Sequence, residues 1–263
     1  MSLLRESFAA INARFHLAGF CALADLLLVI TADAAGDDPA YIVPVCMMVT
    51  IRFLTLYGIL GLVFQAASGR TGGISFARYA SALARPLLWL QLKALMIALP
   101  IASLLAGLGL FGYLLATGSP ATPDEHRAAL ELWGGTLFDL AFSLLLLYST
   151  PLCIRSRERG ERGPHVRQGW QILWASGSES LPLVGLLATV AAIHAGLLYL
   201  RGPEAQDAPP DIPMALGLLV CSYLELVALY GAARVVLRRL EPGLSADPGL
   251  TERGASSAPG PPA

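Results

Sequence analysis

The chain has 263 residues, of which 55% are hydrophobic and only 14% are charged, and its mean hydropathy is +0.61. Soluble domains usually carry about 25% charged residues, so this chain has too little polar surface to solvate a globule of its length. A surface in contact with lipid needs no such charge. The composition therefore excludes a soluble fold and predicts a membrane domain with short loops.

Six apolar blocks follow one another along the chain, and each is long enough to cross a bilayer as a helix. They are residues 17–35, 41–66, 87–116, 132–154, 181–200 and 213–235. We therefore predict an all-α, polytopic membrane protein with a six-helix transmembrane domain over residues 1–241. Residues 242–263 are rich in Pro, Gly, Ser and Ala, which predicts a disordered cytoplasmic tail.

The positions of the basic residues predict the orientation of the spans. Fourteen of the eighteen lie in the N-terminal segment, in loops 67–86 and 155–170, and at the C-terminal end, whereas the loops between them contain only Arg127 and Arg201. Because basic loops stay in the cytoplasm, both termini are predicted to be cytoplasmic. Arg greatly outnumbers Lys, and Ala, Gly and Pro are abundant, which is typical of a GC-rich bacterial genome. The expected location is therefore the bacterial inner membrane.

The chain repeats one unit three times: a cytoplasmic amphipathic segment, a span, a short outer loop and a returning span. The amphipathic segments are residues 2–16, 74–90 and 165–183. Their aromatic rings and Arg side chains are expected to lie in the lipid headgroup layer. The sequence thus predicts three helical hairpins, each preceded by an amphipathic helix on the cytoplasmic side.

These amphipathic segments carry the side chains that are best placed to meet another protein. Their function is either to anchor the bundle or to dock a cytoplasmic partner or another membrane subunit at loops 67–86 and 155–180. The residues in question are Arg78, Arg85, Trp170 and Trp174.

A short helix with aromatic and Arg residues leads into a long apolar span, with a loose F/W-x₂₋₃-L/Y-x₃-L pattern. This arrangement resembles the membrane domain of glycerophosphodiester phosphodiesterases and related six-helix bacterial membrane families. The resemblance covers most of the chain as architecture only. The catalytic barrel attached to some of those proteins has no counterpart here, so the resemblance implies no catalytic residue.

Signatures of catalysis and of nucleotide or metal binding are missing from the sequence. It contains no P-loop, dinucleotide-binding glycine motif, zinc-protease motif or nucleophile elbow. The four His and four Cys residues have no spacing typical of metal ligands. We therefore predict no catalytic residue, cofactor or metal, and no binding of nucleic acid; the lipid bilayer is the one certain partner.

The ionisable residues inside the spans are the most informative, because charge at bilayer depth is costly and usually has a partner or a function. Lys93, Asp139 and His194 are expected near the membrane interfaces. In contrast, Asp25, Arg52 and Glu225 each lie roughly 12–18 Å from the nearest end of their span. They predict a charged cluster at the midplane that joins spans one, two and six. The cluster either fixes helix register or forms a site for an ion, a proton or a lipid headgroup.

These observations leave two main hypotheses for the function of the protein and one weaker alternative. The first is a non-enzymatic, transporter- or permease-like component whose midplane charges line its pathway. The second is an accessory or scaffold subunit of a membrane complex, in which the charges only hold helices together. An intramembrane enzyme that acts on lipid is the least favoured, because no nucleophile and base converge at one depth. A polar cavity at the charged cluster would favour transport, and a sealed bundle would favour the subunit.

Overall fold

A computed structural model gives the fold of the chain, and it is helical throughout the part that it describes. The described residues are 2–36, 39–69, 75–117, 123–161, 163–201 and 212–240. The predicted tail, 242–263, lies outside them. The helices are α1 (Leu3–Asn12), α2 (Phe15–Ala35), α3 (Ile42–Ala67), α4 (Phe76–Thr117), α5 (Pro123–Arg159), α6 (His165–Ala175), α7 (Gly177–Arg201) and α8 (Ile212–Leu240), with one 3₁₀ turn at Pro39–Tyr41.

Six of these helices, namely α2, α3, α4, α5, α7 and α8, are long and apolar enough to cross a membrane. The predicted all-α polytopic fold is therefore confirmed. Helix α2 packs on α3, α4 on α5, and α7 on α8, so the spans form three antiparallel hairpins. Both ends of the six-span bundle lie on one side. We call this the Arg-rich side, because α5 and α8 end there with Arg residues in their last turns.

The three amphipathic segments do not behave alike. The first and third form the separate helices α1 and α6, but the second continues without a break into the 42-residue helix α4, which contains Pro86 and Pro100. The expectation that the aromatic rings of this segment lie in the headgroup layer is wrong for Tyr79, which is buried in the bundle core together with Leu83 and Leu87. A proline removes one backbone hydrogen bond but does not have to end a helix that neighbouring helices support.

Close packing between α3 and α4 depends on two glycines. A Cβ atom at Gly58 would lie 2.4 Å from the Phe76 ring, and one at Gly61 would lie 2.4 Å from the Tyr79 ring. The aromatic side chains of α4 therefore fill space that α3 leaves open. Three glycines of α4 make no such contact, since no described heavy atom lies within 4 Å of a Cβ built at Gly107, Gly109 or Gly112.

Arginines at the end of α8 bind groups on other helices at the Arg-rich side. Arg234 donates to the backbone oxygen of Ala67 at 3.1 Å, and Arg239 donates to that of Ala175 at 2.7 Å, so both satisfy carbonyls at the ends of other helices. Glu6 of α1 pairs with Arg234 and with Arg238, at 2.6 and 3.1 Å. These arginines therefore connect α8 to α1, α3 and α6, besides giving this side its positive charge.

Burial is unevenly distributed along the spans. In α3 the buried residues begin at Tyr57, about halfway along the helix, and continue to its end on the Arg-rich side. In α2, which starts on that side, the last buried residue is Ala24, and in α8 the first is Cys221. In these three helices the buried residues thus lie towards the Arg-rich side, and the opposite half of each is more exposed.

Candidate functional site

A cavity of about 560 Å³ lies in the middle of the bundle, and all six spans contribute to its wall. Most of the lining is apolar. The polar and charged side chains in the wall are Asp25, Arg52, Thr55, Gln91, Asp139, Ser143, Thr150, His194, Ser222 and Glu225. Such a mixture of apolar walls and a few polar groups is typical of a site for a small ligand.

Two members of the predicted charged cluster are in direct contact. The guanidinium Nε of Arg52 on α3 donates to the carboxylate Oδ1 of Asp25 on α2. The arginine also lies next to the Phe53 ring, with its Cζ atom 5.9 Å from the ring centroid. Because a guanidinium stays charged at any relevant pH, the aspartate supplies the counter-charge that lets it remain within the bundle.

Glu225, the third member, lies in the same cavity wall but is not part of this contact. Among the described residues, Arg52 pairs only with Asp25, and Glu225 has no ion-pair partner. The residue is exposed and lines the cavity, and its carboxyl group interacts electrostatically with Asp25, Arg52 and Asp139. Glu225 is therefore available to a ligand in the cavity.

Asp139 of α5 and His194 of α7 also line this cavity, although the sequence placed them near the membrane interface. They lie close enough for their charges to interact. Distance along a span indicates depth but not the direction in which a side chain points, so sequence reasoning missed their place in the site. The one available signal was that each of these two apolar blocks contains a single acidic or imidazole side chain.

Aromatic and amide side chains complete the wall. The rings of Phe138 and Phe142, one turn apart on α5, stack with their centroids 5.7 Å apart. Tyr57 of α3 donates from its hydroxyl to the Gln91 side-chain oxygen of α4 at 2.6 Å, which fixes the amide at the cavity edge. In the described part of the chain, no three His, Cys, Asp or Glu residues are placed to hold a metal ion.

The residues predicted to dock a partner are accessible from outside the bundle. Arg78 and Arg85 are exposed on the first turns of α4. Trp170 and Trp174 are exposed on α6, with their rings edge to face at 5.9 Å. Both pairs lie at the Arg-rich side, and whether they meet a partner stays a prediction.

Six apolar spans define the protein as a multi-pass, helical integral membrane protein, and they surround a cavity with a few charged groups in its wall. Comparisons with family models, with curated proteins and with solved structures found no match to this chain. Its function must therefore be inferred from the site itself.

Proposed function

We propose that this chain is a transporter-like membrane protein, not an enzyme, and that its central cavity binds a small, positively charged solute. The observation that carries the proposal is the cavity, because all six spans line it and its wall holds five ionisable side chains. Charge at bilayer depth commonly marks a substrate or ion pathway. An ion pair that only fixes helix register would account for Asp25 and Arg52, but it would leave Glu225 without a role.

The charges of the wall favour a cation. Asp25 and Arg52 balance each other, and the only further basic group in the described wall that could offset Glu225 and Asp139 is the His194 imidazole. With its carboxyl groups ionised, the wall has a net negative charge whether His194 is neutral or protonated. The stacked rings of α5 add to this preference, since aromatic faces attract cations.

The size and access of the cavity support a transported solute. Its volume of about 560 Å³ lies within the roughly 300–1,000 Å³ that is common for small-molecule sites. In the described part of the chain, α3 has no buried residue from Ile42 to Leu56, and α8 has none from Ile212 to Val220. On these two helices, therefore, the described residues form no closely packed layer between the cavity and the opposite membrane side.

Water and charge in the cavity are tested by cysteine labelling. In a variant without the four native cysteines, Ser143→Cys should react with a trimethylammonium methanethiosulfonate faster than with the sulfonate reagent. Glu225→Gln with Asp139→Asn should reduce this preference, because the negative charge is gone. Leu108→Cys, on the exposed apolar surface of α4, is the matched control and should react with neither. An unreactive Ser143→Cys would mean that the cavity excludes water, and the proposal would fail.

Transport is tested with the full chain reconstituted in liposomes. Tetraethylammonium and tetraphenylphosphonium serve as probe cations, and benzenesulfonate as an anion of similar character. We expect saturable cation uptake that is lost in Glu225→Gln with Asp139→Asn. It should be retained in Glu179→Gln, which removes an exposed acid outside the cavity. Uptake that is the same with and without the protein for both cations would count against transport of this class of solute.

A further inference from the structure

A second hollow, the α4–α5 groove, lies on the outside of the bundle and is separate from the central cavity. It has a volume of about 670 Å³ and runs between α4 and α5 to the start of α6. Most of its lining is aliphatic. The apolar side chains along its length are Leu90, Ile97, Ile101, Leu105, Leu137, Leu140, Ala141, Leu144 and Leu145. This apolar groove matches the shape and chemistry of an acyl chain.

One end of the groove differs sharply from the rest. At the Arg-rich side it is lined by Lys93, His165 and Arg167, with Trp89 and Trp170 beside them. No carboxylate is among the described lining residues. The groove is therefore complementary to a phospholipid: its apolar part suits an acyl chain, and its basic end, flanked by Trp rings, suits a negatively charged headgroup.

The basic side chains at this end of the groove form no ion pair with the described part of the protein. The Lys93 Nζ atom lies 5.5 Å from the centroid of the Trp89 ring. Neither Lys93 nor Arg167 forms an ion pair among the described residues. The Nδ1 atom of His165 is buried and has no hydrogen-bond partner among the residues that the structure describes. The pKa of this imidazole is lowered from its usual value, first by burial and then by the Lys93 ammonium. The charge of Lys93 is therefore close enough to act on His165.

We infer that the α4–α5 groove binds one anionic phospholipid from the leaflet on the Arg-rich side. An acyl chain lies between α4 and α5, and the phosphate is bound by Lys93 and Arg167. Lys93 reaches the headgroup layer by extending its apolar stem along the groove. This inference does not depend on the solute of the central cavity, since the two sites share no lining residue.

Lipid binding is measured by native mass spectrometry of the purified full chain with phosphatidylglycerol and with phosphatidylcholine. We expect tighter binding of phosphatidylglycerol. Lys93→Gln with Arg167→Gln should weaken it roughly 30-fold, because each basic residue near anionic lipid contributes about fivefold. Arg85→Gln is the matched control: it removes an exposed arginine of α4 that does not line the groove, and it should leave affinity unchanged. Equal binding of both lipids, or an unaffected double variant, would overturn the inference.

A second variant tests the acyl-chain part of the groove. Ala141→Phe places a ring in the channel without changing charge, and it should weaken both lipids while thermal stability stays near wild type. Glycerol 3-phosphate, which has the headgroup charge but no chain, should not displace bound phosphatidylglycerol. Full displacement by glycerol 3-phosphate would show a phosphate site and not a lipid site. Binding that Ala141→Phe leaves unchanged would place the chain elsewhere on the surface.

Discussion

At the level of single residues, Arg52 is a permanent positive charge inside a span and needs a counter-charge. It lies about 15 Å along α3 from Ile42, at 1.5 Å per residue, and it cannot become neutral by losing a proton. From the sequence, both Asp25 and Glu225 were expected to neutralise it. The structure gives the contact to Asp25 alone, which leaves Glu225 facing the cavity.

This difference predicts how the three residues affect stability. Asp25→Asn should lower the free energy of unfolding by about 2 kcal/mol, less than the 3–5 kcal/mol typical of fully buried pairs, because this pair borders a cavity. Adding Arg52→Met should restore most of the loss, since the orphaned charge is then removed. Thermal and denaturant unfolding of the purified protein measure both changes.

Glu225→Gln is the matched control for that series. It removes an acid at similar depth that is repelled by Asp25 and Asp139 and attracted by Arg52 without an ion pair, so stability should be unchanged or slightly higher. If Glu225→Gln destabilises as much as Asp25→Asn, Arg52 is shared between both acids and the arrangement described above is wrong.

At the level of helices, α6 depends on a glycine for its contact with α5. A Cβ at Gly169 would lie 2.5 Å from the Ser149 Oγ and 2.8 Å from its backbone nitrogen. A side-chain hydroxyl can rotate away, but a helical backbone cannot move without displacing the whole helix. Gly169 therefore sets how closely α6 approaches the bundle.

Gly169→Ala should consequently destabilise the protein, although alanine is the better helix former. Gly185→Ala in α7 is the matched control, because nothing lies within 4 Å of its Cβ position, and it should stabilise by about 0.5–1 kcal/mol. Melting temperatures of the two variants should move in opposite directions. A shift of the same sign in both would show that α6 does not pack as described.

The exposed start of α4 offers the clearest test of partner binding. Arg78→Glu with Arg85→Glu should release a cytoplasmic partner in pull-downs from the native host while the folded bundle stays in the membrane. Arg5→Glu, an exposed arginine of α1, is the control. If the segment only anchors the bundle, the double variant should instead lower the amount of protein in the membrane without selective loss of a partner.

At the level of the whole molecule, orientation is the prediction that the fold leaves open. The hairpins put both ends on one side, and the arginine distribution predicts that this side is cytoplasmic. In a cysteine-free background, Ser119→Cys and Ala208→Cys should react with an impermeant thiol reagent in intact cells. Glu161→Cys should react only after lysis. Glu161 is chosen because it is exposed, whereas Ser156 in the same segment is buried. Labelling of Glu161→Cys in intact cells would reverse the orientation.

The sequence by itself determined the number of spans, their approximate limits and their grouping into hairpins. These are local properties: twenty apolar residues can satisfy their backbone groups in a bilayer only as a helix, whatever their neighbours do. The depth of Asp25, Arg52 and Glu225 followed in the same way, because position along a helix converts directly to distance.

Only the tertiary structure decided which side chains face one another. The spans are apolar around most of their circumference, so periodicity does not reveal the face that points inward, and rotation about the helix axis is set by packing with other helices. For this reason the sequence did not place Asp139 and His194 in the cavity or Tyr79 in the core. Nor did it bring Lys93 of α4 together with His165 and Arg167 of α6. Each of these groupings joins residues from helices far apart in the chain, where long-range contacts alone fix the distances.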